Sequence, residues 1–170
     1  VDHANEHSSF KTDLAPIKQS NLCCEIDLPT KPLNDINDPN GEIALCTLSA
    51  VNWGSFKNPE DMEKACTLAV RGLDALLSYQ NYPIIAAQMA TENRRPLGVG
   101  IINLAFFLAK NDVSYSNPDA LKLVDTWAQH WSYYLIKASA DLAVEFGACP
   151  KNNETKYSDG VLPLDTYKKD

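Results

Sequence analysis

Residues Glu42 to Asn52 read EIALCTLSAVN. After Glu42 nearly every position is apolar or small, so no alternation separates a wet face from a dry one. That is the pattern of a strand covered on both faces, as in the parallel sheets of α/β proteins. The turn before it is Asp38-Pro39-Asn40-Gly41, where proline fixes φ and Asn and Gly tolerate the backbone angles of the turn's later positions. The pattern predicts a buried strand over about 42–52, with helices to cover it.

Those helices announce themselves by their ends. Asn58-Pro59-Glu60-Asp61 supplies a cap, a proline at the first position and acids in the first turn. Met62, Cys66, Ala69, Val70, Leu73, Leu76 and Leu77 then recur at helical spacing, predicting a helix over 59–79 with Cys66 as a packed core thiol. Pro96 to Ile101 reads as a short strand running into a helix over 101–110 through Ala105-Phe106-Phe107-Leu108. Asn117-Pro118-Asp119 opens a helix over 118–146 that Gly147 closes. Residues 1–19 read as an irregular polar lead-in, 20–29 as an extended segment stopped by Pro29 and Pro32, and the tail GVLPLDTYKKD (160–170) as holding one more short strand. Strands alternating with helices argue for α/β architecture.

The 170 residues are 45% hydrophobic and 22% charged, suited to one core of moderate size. A net charge of −7, with no basic run longer than Arg94-Arg95 or Lys168-Lys169, argues against nucleic-acid or anionic-membrane surfaces. VDHANEHSSFKTD has no basic or apolar region of a signal peptide, and the apolar run Leu97 to Ala109 is too short to span a bilayer. Five cysteines (23, 24, 46, 66 and 149), odd in number and without C-x-x-C spacing, read as reduced thiols of a cytoplasmic protein.

The chemistry concentrates in Ser20-Asn21-Leu22-Cys23-Cys24-Glu25-Ile26. In an extended segment, Asn21, Cys23 and Glu25 share one face, while Leu22, Cys24 and Ile26 share the other. One face then gathers an amide, a thiol and a carboxylate; on the other, Cys24 packs as a small hydrophobe. Nucleophilic catalysis wants a base and positive charge beside the cysteine. The neighbour here is Glu25, which suits a neutral thiol and hydrogen-atom chemistry.

Other candidates read as structural. His3 and His7 with Cys23 and Cys24 match no compact ligand spacing, so no metal site is expected. His130 reads as a packed or half-exposed histidine of the long helix. Gly98-x-Gly100 lacks the third glycine of a dinucleotide loop, and Asp112 and Asp119 read as turn and cap residues.

SNLCCEI, LPTKPLNDINDPNGEIALCTLSAVNWG, RRPLGVGIINLAFFLAK and ACPKNNETKYSDGVLPLDTYKKD closely resemble the large, catalytic subunit of class I ribonucleoside-diphosphate reductases, over essentially the whole chain. The resemblance implies part of a ten-stranded α/β barrel, with residues about 20–27 as its central finger loop. It implies that Cys23 carries a transient thiyl radical that abstracts the ribose 3′ hydrogen. Glu25 would be the general base on the 3′ hydroxyl, made more basic by burial, and Asn21 would hydrogen-bond the ribose hydroxyls. Cys46 would be one half of the redox disulfide.

The resemblance also implies the partners: the rest of the catalytic subunit, a radical-generating, metal-containing small subunit, thioredoxin or glutaredoxin as reductant, and a ribonucleoside diphosphate substrate. No cofactor is expected on this chain itself. The segments that bind ATP and dNTP effectors, the substrate-phosphate loop, the paired tyrosines, the C-terminal cysteine shuttle and the second redox cysteine have no match here. The chain is therefore expected to be a fragment or a piece of a split subunit, inactive alone. Position 24 is usually apolar in the family and is Cys here. Two other readings stay open at this point: a thiol redox module using the vicinal Cys23-Cys24 pair, and a non-catalytic assembly piece.

Overall fold

A computed structural model describes residues 2–45 and 47–166. In chain order its elements are α1 (Asp2–His7), β1 (Ile17–Ser20), β2 (Asp27–Pro29), β3 (Leu48–Asn52), α2 (Glu63–Tyr79), α3 (Ile85–Arg94), β4 (Gly98–Ile102), α4 (Leu104–Lys110) and α5 (Pro118–Phe146). Five short 3-10 turns accompany them, at Trp53–Ser55, Pro59–Met62, Asn152–Glu154, Lys156–Asp159 and Pro163–Thr166. The chain divides into two compact units: Val1–Cys46 with Leu77–Pro96 and Ala148–Asp170, and Thr47–Leu76 with Leu97–Gly147.

The second unit holds the parallel pair β3–β4, in unbroken register from Leu48 opposite Gly98 to Asn52 opposite Ile102. The strand expected over 42–52 is confined to Leu48–Asn52, and it is not covered on both faces: Val51 is buried but Leu48 is 53% exposed. The reason lies in the sheets. Among the described residues there are two sheets of two strands each and no closed barrel, so each strand is an edge and an apolar run meant for two covering layers finds only part of them. Gly98 and Gly100 lie inside β4.

Below this pair three aromatic rings meet edge to face. Phe107 lies 4.5 Å from Trp127 and 5.5 Å from Trp53, centroid to centroid, and all three are buried. Val51, Met62, Cys66, Leu108 and Ala120 complete this core. The chain leaves β3 through Gly54, where a Cβ would stand 2.6 Å from a Phe106 ring carbon, so only glycine fits without displacement. Asn103 opens α4 from a left-handed conformation (φ 66°) and donates to Asn52 Oδ1 at 3.1 Å.

Caps set the helix ends. The helix expected over 59–79 opens as a 3-10 turn, with the Asp61 carboxylate accepting from the Asn58 N–H at 3.1 Å, before α2 begins. The Asn117 side chain accepts from the Asp119 N–H at 2.9 Å, and Gly147 (φ 89°) ends α5. His130 sits half-exposed on α5, its Nδ1 2.9 Å from the Thr126 carbonyl.

The first unit departs more from expectation. The polar lead-in contains α1 and β1, joined because the Asn5 side chain grips Ile17 from both sides. It accepts from the Ile17 N–H at 2.7 Å and donates to the Ile17 carbonyl at 2.8 Å. Side-chain pairing of this kind leaves no hydrophobic periodicity to read. β1 and β2 form an antiparallel hairpin, Ile17 opposite Pro29 and Ser20 opposite Asp27. The first ten or so residues are stitched to the far end of the chain: Phe10 bridges Thr155, the Lys11 N–H donates to Glu154 O (2.9 Å) and the Lys156 N–H to Ser9 O (2.8 Å). The tail strand is absent from the described residues. Pro163–Thr166 is a 3-10 turn instead, because the Asp165 carboxylate accepts from the Leu162 N–H at 2.8 Å and closes it. Among the described residues no helix is long and apolar enough to cross a membrane.

Candidate functional site

Six residues, 21–26, join β1 to β2. Asn21 closes this loop with its backbone and its side chain together. Its N–H donates to Ile26 O at 3.3 Å, its carbonyl accepts from the Cys24 N–H at 3.1 Å, and its Oδ1 accepts from the Ile26 N–H at 3.1 Å. Its remaining amide nitrogen donates to Glu25 Oε1 at 2.7 Å. One residue thus shapes the turn and ties down the carboxylate two positions beyond Cys23.

The loop therefore is not the extended segment read from the sequence. Asn21 and Glu25 meet, but through a turn and not through strand alternation. The turn forms because Cys24 takes the left-handed conformation (φ 60°), which costs a non-glycine residue about 1–2 kcal/mol. The two-face assignment fails with it: Cys24 is exposed, not packed, and Leu22 is 98% exposed. Glu25 is exposed as well, so the burial expected around its carboxylate is not met within this chain. Cys23 is a free, exposed thiol at the tip. Cys46 lies outside the described residues.

The other described thiols are of a different kind. Burial pushes Cys66 up to about 11, and it also raises half-buried Cys149. Both are poorly disposed to ionise or react.

The same unit contains a charged cluster that sequence reading missed. Lys31, two residues beyond β2, bridges Glu42 by two backbone hydrogen bonds of 3.1 Å. The Glu42 carboxylate is nearly sealed from solvent and faces three cations: Arg94 Nε at 2.8 Å, Lys31 Nζ at 3.1 Å, and Lys151 Nζ. Arg94, itself buried, reaches Glu154 Oε2 at 2.8 Å and lies over the Phe10 ring at 5.9 Å. Burial alone would raise the Glu42 carboxyl; hydrogen bonds and charge from Arg94, Lys151 and Lys31 win and hold it at about 2. The cluster ties the hairpin's return arm to the segment that leads toward Cys46. Its signal in the sequence is a single charge at the head of an apolar run, which passes for the end of a turn.

Comparison with known proteins gives a consistent result. A family model described as "Ribonucleotide reductase, barrel domain" matches residues 1–170. The chain is 57% identical over 170 residues to the ribonucleoside-diphosphate reductase subunit alpha of Haemophilus influenzae, covering all of this chain and 22% of that protein. It is 58% identical over 170 residues to ribonucleoside-diphosphate reductase 1 subunit alpha of Escherichia coli, with the same coverage. The subunit alpha of Enterobacteria phage T4 is 46% identical over 172 residues, 99% of this chain and 22% of that one. The chain thus spans about a fifth of the length of these relatives.

Proposed function

The chain belongs to the ribonucleotide reductase family, matching its barrel domain, and from that premise we propose that it carries the thiol-radical segment of a ribonucleoside-diphosphate reductase. In this reading β1, β2 and the loop between them are the finger of a ten-stranded α/β barrel whose other strands come from the remainder of such a subunit. The observation that carries the proposal is the 2.7 Å hydrogen bond from Asn21 to Glu25 at the tip that bears Cys23, which keeps amide, carboxylate and thiol within one turn.

The roles follow from the functional groups. A metal-containing partner subunit supplies the radical. Cys23, oxidised by one electron to a thiyl, takes the 3′ hydrogen atom of the ribose. Glu25 accepts the proton of the 3′ hydroxyl, and the 2′ hydroxyl leaves as water. Asn21, an amide with both donor and acceptor, holds the hydroxyls in register with Glu25. Two electrons then come from Cys46 and a second thiol, which end as a disulfide, and Cys23 returns its hydrogen atom to the 3′ carbon. Thioredoxin or glutaredoxin restores the dithiol. The work belongs in the cytoplasm, where free thiols stay reduced.

A second reading has one observation in its favour. Both Cys23 and Cys24 are exposed, so the vicinal pair could cycle as a thiol redox couple. One experiment separates the two: CDP reduction by the complete catalytic subunit with its radical-bearing partner and a dithiol reductant. Under the radical reading Cys23→Ser abolishes product and Cys24→Leu leaves most of it. Product from the Cys23→Ser enzyme would end that reading, and an essential Cys24 would favour the vicinal couple.

A further inference from the structure

A separate set of chemistry-bearing side chains lies on α1. His3, Glu6 and His7 stand at i, i+3 and i+4, the spacing that places three side chains on one helix face. All three are exposed, and one ligand atom from each lies within 4.8 Å of the others. The imidazole centroids are 4.5 Å apart with their planes at 66°, and His7 Nε2 is 4.0 Å from Glu6 Oε2. In the sequence, His3 and His7 are weighed with Cys23 and Cys24, a set without compact ligand spacing, and no metal site is expected. A helix brings the two histidines one turn apart.

The face is also built in advance. Asn5, between the ligand positions, is fixed by its paired hydrogen bonds to Ile17, and the Thr12 hydroxyl donates to the Asn5 carbonyl at 3.2 Å. The Ser8 N–H closes the last turn on Ala4 O at 2.8 Å. Lys156 Nζ, a nearby cation, donates to the Glu6 main-chain carbonyl at 3.1 Å. A metal would therefore order side-chain rotamers only, not a helix.

We propose that His3, Glu6 and His7 form a three-ligand surface site for one divalent transition-metal ion. Two imidazoles and a carboxylate suit zinc, nickel or copper(II), in the affinity order expected of nitrogen-rich sites, and do not suit calcium or magnesium, which want oxygen. Metal–nitrogen bonds of about 2.0–2.1 Å require the donors to close in by roughly 1 Å, a rotamer adjustment on an exposed face. Water completes the coordination. The site is independent of the hairpin chemistry, since it uses none of Asn21, Cys23 or Glu25.

The test is equilibrium binding of nickel(II) and cobalt(II) to the complete protein in a Cys23→Ser/Cys24→Ser background, which removes the two exposed thiols found among the described residues as competitors. Relative to that parent, His3→Ala/His7→Ala should lose one bound ion, and His7→Ala alone should weaken binding at least tenfold. The cobalt spectrum of the lost ion should show no sulfur-to-metal charge transfer. Glu6→His, which adds a third imidazole on the same face, should tighten nickel binding and decides the matter even if the alanine variants disturb α1. Equal stoichiometry in parent and double variant, or unchanged nickel affinity in Glu6→His, would overturn the proposal.

Discussion

Asn21 holds its own loop through at least four hydrogen bonds among the described residues, two of them from its side chain. Each contributes about 0.5–1.5 kcal/mol, so the side chain is worth more to this turn than any neighbour. Asn21→Ala should speed hydrogen exchange of the Ile26 amide about tenfold and lower CDP reduction at least as much. Asn21→Asp keeps an acceptor for Ile26 but sets a second carboxylate against Glu25. It should retain the Ile26 protection and still lose activity, and loss of both together would show that shape alone is at stake. Glu42 lends itself to a pH test. Its folded value of about 2 lies below its ordinary 4.5, so its contribution to stability is present above about 4.5 and is lost as pH falls toward 2. Glu42→Gln should cost about 3 kcal/mol at neutral pH, because buried Arg94 loses one of its two carboxylate partners and keeps only Glu154. The same variant should flatten the acid limb of a stability-versus-pH curve. At this scale the sequence is half legible. Asn-x-Cys-x-Glu stands out as a polar set amid apolar residues, whereas the Glu42 cluster draws its cations from positions 31, 94 and 151, and no local pattern links those.

Among the elements, helices with explicit ends are readable: Asn58 and Asn117 open theirs and Gly147 closes the longest. α3 has no such marks. It begins after Ile84, whose side chain caps nothing, and stops at Arg95 in a left-handed conformation (φ 45°) where a glycine or asparagine would be the usual sign. α1 escapes notice for the same reason, being held by Asn5 and not by an apolar stripe. The run 42–52 promises more strand than forms, since periodicity reports what a segment is suited to bury and not which layers reach it. α4 sends two buried side chains, Phe107 and Leu108, into the core. Phe107 is the middle ring of the buried trio, and Phe107→Ala should destabilise the fold by about 3–5 kcal/mol, read as a lower urea midpoint with an unchanged slope.

For the whole molecule, the two two-stranded sheets and the exposed apolar residues Leu48, Ile102 and Phe106 describe surfaces suited to further packing. The 170-residue chain on its own should bind a hydrophobic dye and elute as associated species, and both signs should vanish in the complete subunit. A monodisperse, dye-silent monomer would mean that these edges are already adequately protected. The stitching of residues 9–11 to 154–156 has a consequence in time. Partners such as Lys11 and Ser158 are 147 positions apart, so their contacts close a loop spanning almost the entire chain. Thr47–Leu76 and Leu97–Gly147 can assemble while the ribosome is still at work. The unit bearing the hairpin closes only once residues 154–158 have been made, so within this stretch the hairpin finds its support after Thr47–Leu76 and Leu97–Gly147 can fold.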